Sequence, residues 1–279
     1  MLALAGRPEH IATLISGVDR YNPSNVHLLE DYLQQQLANG QYDILANLAL
    51  LKLYQFNPTS LSASAALSVL FLALAHAPFS PDFNLAWSLL SDSFVTGAAL
   101  PPSHARGSDD DDDDSDDSDA DERRARKNAA KGQSSTVPRG EKEAAELLRE
   151  WSGHLAARQF RQFWTRVHNS ASGASGGATN EDAVRLVEGL KQSANGWDAA
   201  VRDAIAGEVE CSFRSIKKET AETFLGTQDL SQIAQTRNWT VSGSDVQLPQ
   251  NDSNTPKSSV THERIEIEQL ARLMGRSQA

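Results

Sequence analysis

One stretch of the sequence matches a catalytic motif. Residues 173–177 (GASGG) have the G-x-S-x-G spacing of a hydrolase nucleophile elbow. That motif needs a buried strand before the serine and a helix directly after it. Here the preceding residues, His168, Asn169 and Ser170, are polar, and no apolar strand is present. Because glycine and serine are the usual residues of flexible linkers, we interpret this stretch as a linker.

Neither the histidines nor the cysteine predict a metal site. The seven histidines lie at positions 10, 27, 76, 104, 154, 168 and 262, and no two are four residues apart beside an acid. Cys211 is the single cysteine, which excludes an internal disulfide and is typical of a reducing compartment. Glycine-rich nucleotide-binding patterns are also absent. We therefore expect no catalytic, cofactor-binding or metal-binding residue and no enzymatic activity.

The acidity of the chain is concentrated in one segment. The formal net charge is −11, and residues 108–122 contain ten Asp together with Glu122, which accounts for all of it. The rest of the chain carries 26 charges of each sign and is neutral. A neutral folded part argues against broad electrostatic binding to nucleic acid or to a membrane surface.

The most membrane-like stretch is 61–77. It contains three serines and a histidine and is barely long enough to cross a bilayer, so we interpret it as a buried helix. Residues 1–17 have no basic region followed by a continuous apolar region, so no signal peptide is predicted. No membrane partner is expected.

Apolar residues at helical spacing predict an array of helices in the first 96 residues. Helices are predicted at 23–39, 42–54, 61–76 and 83–95, joined by short turns. Three of them would begin at a polar residue followed by proline, namely Asn22-Pro23, Asn57-Pro58 and Ser80-Pro81. The helix at 42–54 is apolar nearly all round, and Leu48 and Leu51 are expected in the core. Such consecutive helices are typical of a stacked, solenoid-like array.

Residues 97–140 interrupt the array. They hold the acidic run and a basic cluster at 123–131 but little that is apolar, so we interpret them as a disordered insertion. The basic cluster could bind RNA or an import receptor, although we favour a solvated counterpart to the adjacent acids. Ser115 and Ser118, each followed by acids, are possible phosphorylation sites.

Helices resume after the insertion and lead into a different module. The pattern predicts helices from Glu141 through Val167, a Ser/Gly loop at 169–178, and further helices at 180–192 and 197–209. A short extended piece, a helix closed by Gly226, a helix at 228–238 and a hairpin around 242–244 follow. This order is that of a winged helix. Residues 250–259 are interpreted as a polar linker and 265–274 as a terminal helix.

The hairpin is the predicted docking element. Trp239, Val241, Val246 and Leu248 give it apolar character, and no lysine guards its edge, so we expect it to pair with a strand of a partner. The candidate recognition helix carries one basic residue, Arg237. Sequence-specific nucleic-acid binding is therefore not expected, although a winged-helix nucleic-acid binder stays an alternative.

Two stretches of the N-terminal part resemble a known family. The sequences GVDRYNP at 17–23 and LKLYQFNP at 51–58, with Tyr42-Asp43 and Ala46 to Ala49 between them, resemble the K-subunit family of eukaryotic translation initiation factor 3. A weaker resemblance continues through 160–164, 217–226 and Trp239.

The resemblance implies a mainly α fold: HEAT-like stacked helical repeats followed by a winged-helix module, a PCI-type architecture. It also implies a non-catalytic scaffold in the cytoplasm, with subunit L, other subunits of that factor and the small ribosomal subunit as partners. A scaffold subunit of the proteasome lid or the signalosome is the alternative with the same architecture. The expected division is 1–96 and 141–194 for the helical part, 97–140 for the insertion, 195–249 for the winged helix and 250–279 for the linker and last helix.

Overall fold

The computed structural model describes residues 6–91, 94–95, 139–172, 181–255 and 266–276. Within these ranges the protein is mainly helical with one small sheet, which confirms the predicted fold class. The acidic run with Ser115 and Ser118, the basic cluster at 123–131 and the glycine-rich string at 173–177 lie outside the described residues.

Nine helices precede the sheet in the described residues. They are α1 (Glu9–Ser16), α2 (Val26–Asn39), α3 (Ile44–Phe56), α4 (Ala63–His76), α5 (Asp82–Ser88), α6 (Arg139–Ala156), α7 (Phe160–Ser172), α8 (Glu181–Ser193) and α9 (Trp197–Ser212). Short 3₁₀ turns at Val18–Tyr21, Pro23–Asn25 and Pro58–Ser60 connect the first four. Helix α6 begins two residues before the predicted start at Glu141, and α7 continues into the predicted Ser/Gly loop.

Only two of the three proline-linked helix starts have the expected cap. The side chains of Asn22 and Ser80 each accept a backbone N–H from two residues further on, at 3.0 and 3.1 Å. The predicted start at Asn57-Pro58 is wrong. The 3₁₀ turn that Pro58 opens ends at Ser60, before α4 begins, whereas the turn that Pro23 opens runs directly into α2. The Asn57 amide donates back to the preceding helix. Helix α4 is capped instead by Ser62, whose hydroxyl accepts an N–H at 3.3 Å.

Helix α4 is the centre of the helical array. Eleven consecutive residues, 65–75, are buried, and the only polar one, Ser68, donates its hydroxyl to the carbonyl of Ser64 at 2.9 Å. Helices α2, α3, α5, α6 and α9 all pack against α4, so elements that precede residue 97 and elements that follow residue 138 share one core. The stretch that looked most like a membrane span is therefore the innermost helix of the array.

A buried polar network fixes the first three helices against one another. Arg7 makes a two-pronged ion pair with the buried Asp43, with N–O distances of 2.5 and 2.6 Å. Asp43 also accepts from Tyr32 of α2 at 3.3 Å, and its backbone N–H donates to Gln36 at 2.7 Å. Gln36 in turn pairs with Asn47 of α3 at 2.9 Å. Because every member has a partner, the network specifies one arrangement of these helices.

Helix α3 is buried on one side only, although its apolar composition predicts burial nearly all round. Leu51 is in the core as expected, whereas Leu48 is only partly buried and Leu45 is exposed. The next predicted helix is also shorter than expected, since α5 ends at Ser88 and not at Val95. The helical stretch after Glu141 is interrupted between α6 and α7 at Arg158, which has a φ of +58°.

The winged helix follows α9 in the predicted order. It consists of β1 (Ser215–Lys217), α10 (Lys218–Leu225), α11 (Ser231–Thr236), β2 (Thr240–Ser242) and β3 (Asp245–Gln247). Helix α11 is shorter at both ends than the predicted 228–238. A last helix, α12 (Ile267–Arg276), lies two residues later than predicted.

Trp164 joins the helical array to the winged helix. Its indole N–H donates to the carbonyl of Phe224 at 2.9 Å, and the guanidinium of Arg202 lies over its ring, 4.9 Å from the centroid. Gly226, which ends α10 with a φ of +61°, lies directly against the same ring: a Cβ at this position would be 2.4 Å from an indole carbon. The glycine is thus needed both for the backbone turn and for the contact.

We predict that Gly226→Ala lowers the free energy of unfolding by about 3 kcal/mol, because it adds a clash with Trp164 to the strain of a left-handed alanine. Gly196→Ala is the matched control: Gly196 has a φ of +70°, but an added Cβ there would meet nothing within 4 Å, so only the backbone cost of about 1 kcal/mol applies. Denaturant unfolding of both variants measures the difference. Equal losses would show that the indole contact carries no constraint.

His76, at the end of α4, is a buried histidine whose protonation bears on the stability of the fold. Its ring stacks on Tyr42, with the centroids 5.8 Å apart and the planes within 6° of parallel. The Tyr42 hydroxyl donates to Asp82 at 2.9 Å, while Nε2 of His76 is buried without a hydrogen-bond partner among the described residues. Burial lowers the pKa of His76 below its ordinary value.

Since the folded state favours neutral His76, the unfolded chain binds the proton first as the pH falls. Stability should therefore be unaffected by His76 above about pH 6.5 and decline below it, down to the lowered folded-state pKa. His76→Phe should make the thermal midpoint less pH-dependent between about pH 6.5 and 5, whereas His10→Gln, which removes an exposed histidine, should not. An unchanged slope in His76→Phe would contradict this assignment.

Candidate docking site in the winged helix

The sheet of the winged helix has the order β1-β3-β2, with both pairs antiparallel. Strand β3 is therefore central, and β1 and β2 are the edges. Strands β2 and β3 are joined by Gly243 and Ser244; Gly243 has a φ of +60° and Ser244 does not have a positive φ, as in a type II′ turn.

This order separates the four residues that the sequence grouped as a docking edge. Val246 lies on the central strand with 0% exposure, paired with Ile216 on one side and Val241 on the other. Trp239 and Leu248 are also buried. Of the four, only Val241, 43% exposed on the edge strand β2, can meet a partner. Alternation along one hairpin could not show this, because it does not reveal that β1 covers the other side of β3.

Trp239 is held in the module by α9. Its indole N–H donates to the carboxylate of Glu210 at 2.6 Å. Arg237 donates to the same carboxylate at 2.9 Å and to Asp203 at 2.8 Å. The one basic residue of the candidate recognition helix is thus engaged by two acids of its own chain, which leaves it poorly suited to contact a phosphate backbone.

The first part of the predicted linker, residues 251–255, packs against the winged helix. Asn254 is buried, and its amide nitrogen lies 2.9 Å from the carbonyl oxygen of Glu210 and 2.8 Å from that of Pro249. Asn251 donates to the Glu210 carbonyl as well, at 2.9 Å. Sequence reasoning missed this asparagine clamp; the signal for it was the pair of asparagines three residues apart, since Asn side chains readily bond nearby backbone groups.

The backbone of β2 has one free side at Val241. In a two-residue hairpin the residues that flank the turn, Ser242 and Asp245, form a hydrogen-bonded pair, and bonded and non-bonded pairs alternate from there. Val241 and Val246 are accordingly a non-bonded pair. The N–H and C=O of Val241 therefore point away from β3, toward the open edge.

The surface of α11 offers little for nucleic acid. Ser231, Gln232 and Gln235 are uncharged and exposed. Asp229 precedes the helix and accepts the Ser231 N–H at 2.9 Å, and the hydrogen bonds from Ser231 lower the pKa of Asp229, which keeps it negatively charged. An anionic group at the start of a recognition helix disfavours a DNA backbone.

The described residues offer neither a metal site nor a membrane span. Groups of three or more His, Cys, Asp or Glu side chains that could hold a metal ion do not occur among them. The helices of these ranges also lack the combination of length and apolar character that a bilayer span needs.

The comparisons with known proteins agree with this architecture. The model of the CSN8/PSMD8/EIF3K family matches residues 61–260, which include α4 through the asparagine clamp. Over 99% of this chain and 93% of its own length, a protein of Mycosarcoma maydis named eukaryotic translation initiation factor 3 subunit K is 34% identical. Proteins of the same name from Aspergillus oryzae and Cryptococcus neoformans var. neoformans are each 30% identical over 97% and 96% of this chain, and over 94% and 91% of their own lengths.

These matches agree with the resemblance of residues 17–58. They cover nearly the whole chain, they continue from the helical array into the winged helix, and the relatives share one name. The chain therefore belongs to the CSN8/PSMD8/EIF3K family, and the three relatives described above carry the name eukaryotic translation initiation factor 3 subunit K.

Proposed function

We propose that this chain is a non-catalytic scaffold subunit of eukaryotic translation initiation factor 3, which supports assembly of that factor at the small ribosomal subunit in the cytoplasm. The observation that carries the proposal is the match to K subunits over nearly the whole chain. The division into a helical part, an insertion and a winged helix at 195–249 belongs to the same proposal.

The internal use of polar groups supports a structural role. The buried carboxylate of Asp43 and the buried amide of Asn254 are satisfied within the chain. The acids around Trp239 likewise hold the wing in place. A lid or signalosome subunit would have a similar architecture, and the family model covers such proteins too. The names of the relatives favour the translation factor.

We predict that the tagged chain co-purifies with subunits of eukaryotic translation initiation factor 3 and with the small ribosomal subunit. Quantitative mass spectrometry of the purified assembly is the measurement. A tagged Leu51→Asp variant is the control, since a charge at this core position should unfold the helical array and abolish recovery. Recovery of proteasome lid or signalosome subunits in place of the initiation factor would refute the proposal.

We also propose that the open edge of β2 is the docking element, and that it pairs with a strand of another subunit. Subunit L is the partner implied by the sequence resemblance. The main-chain groups of Val241 that face away from β3 would supply the hydrogen bonds, and its half-exposed side chain would add apolar contact. Thr240 and Ser242, the other residues of β2, carry no charge that would repel an incoming strand.

Val241→Pro should weaken assembly by about tenfold or more, because it removes the one outward-facing N–H of β2 without removing a bond to β3. Val241→Thr keeps that N–H and the β-branched shape, so it should assemble normally. Binding to purified subunit L and the melting temperature are measured for both. Val246→Pro is unsuitable as a test of docking, since it disrupts the central strand and should unfold the module.

If Val241→Pro binds subunit L as tightly as the unmodified chain, the edge of β2 is not the docking element. That result would leave the co-purification with the initiation factor, and hence the proposed function, intact.

A further inference from the structure

The outer face of α3 is apolar although it faces away from the core. The apolar residues Leu45, Leu48, Ala49 and Phe56 recur at helical spacing on this face, with Lys52 among them. Leu45 is 47% exposed and Phe56 is 56% exposed. A helix at the edge of a single core is expected to present polar residues to solvent. Helix α3 instead has apolar residues on two sides, one against α4 and one open.

This open face forms one wall of a groove. The other wall comes from Ala12 and Ile15 of α1 and from Arg20 and Tyr21 of the turn that follows α1. The groove has a volume of about 570 Å³, within the usual range of roughly 300–1,000 Å³ for binding pockets. It is therefore large enough for several apolar side chains of a bound segment.

Two cations at the groove lack an acidic partner among the described residues. The guanidinium of Arg20 is 4.6 Å from the centroid of the Tyr21 ring, and Nζ of Lys52 is 4.7 Å from that of Phe56. The two rings contact each other, with centroids 6.1 Å apart. Lys52 donates to the amide oxygen of Gln55 at 2.7 Å, which leaves its charge uncompensated. Both charges are thus available to an acidic ligand.

We propose that this groove, lined by Leu45, Leu48, Lys52, Ile15, Arg20 and Tyr21, is the docking site for an acidic amphipathic helix of another subunit. The apolar residues of that helix enter the groove, and its carboxylates pair with Arg20 and Lys52. A helix that binds in a groove places apolar anchors at a spacing of three and four residues in that groove. The apolar residues of α3 that form the wall of the groove have the same spacing. The inference rests on the proposed function in one respect, namely that the partner is a subunit of the initiation factor.

Segments of this chain itself fit the groove less well than an acidic amphipathic helix of another subunit. The acidic run at 108–122 has no large apolar side chain to fill the groove, and residues 1–5 (MLALA) have no acid to meet the cations. Helix α12 does combine Ile267, Leu270 and Met274 with one acid, Glu268, so a second copy of this chain is an alternative that the experiment must detect.

Nucleic acid fits the groove less well. The rings of Tyr21 and Phe56 are each covered by a cation of this chain and lie against each other, so their faces are not free for a base to stack.

Site-specific photocrosslinking in the purified, assembled factor tests the proposal. The photoreactive residue p-benzoylphenylalanine is placed at Leu45 in the groove or, as a control, at Leu85 of α5, which is also 47% exposed but does not line the groove. We expect Leu45 to crosslink to one segment of another subunit, identified by mass spectrometry, that alternates apolar residues at helical spacing with acids. The Leu85 position should not crosslink to that segment.

Charge variants then test the pairing. Arg20→Glu combined with Lys52→Glu should reduce the Leu45 crosslink by about tenfold, whereas Arg20→Lys combined with Lys52→Arg should preserve it. Melting temperatures show that the variants are folded. The proposal is overturned if the assembled factor gives no crosslink at Leu45, or a crosslink to RNA, to residues 1–5 or to α12 of a second copy. Each of these outcomes is distinct from failure to co-purify with the factor, which would refute the proposed function instead.

Discussion

The burial of α4 is the constraint on which the rest of the fold depends. A helix whose residues 65–75 are all buried has no face that water can solvate, so it must be surrounded on every side. Helices α2, α3 and α5 come before residue 97 and α6 and α9 come after residue 138, and all five pack on α4. The two parts of the chain are therefore needed together, and neither could cover α4 alone.

Two polar clusters complete this arrangement by fixing orientation. The network around Asp43 aligns the first three helices, and the cluster around Glu210 ties Trp239 and the segment after the hairpin to α9. In both clusters the burial of polar groups is offset by hydrogen bonds within the chain. Polar side chains such as Asp43 and Glu210 are thus used to fix the orientation of the helices and of the winged helix.

The two proposed surfaces differ in physical character. The edge of β2 offers main-chain hydrogen bonds around Val241, which suit an extended segment. The groove beside α3 offers apolar volume with the charges of Arg20 and Lys52, which suit an acidic helix. One lies in the winged helix and the other at the start of the helical array, so a subunit that used both would connect two different partners.

The sequence by itself determined the fold class, the position of the hairpin, the end of α10 at Gly226 and the absence of a recognisable catalytic motif. Each depends on local chemistry: helical spacing of apolar residues, turn residues, and the need of glycine for a positive φ. Tertiary structure decided which apolar residues are buried in the core and which are exposed to a partner. Leu48 and Leu51 differ in burial because a groove lies on one side of α3, and Val246 is buried because β1 pairs with β3. Periodicity assigns residues to faces, but only the packing of distant segments decides which face meets the core and which stays open.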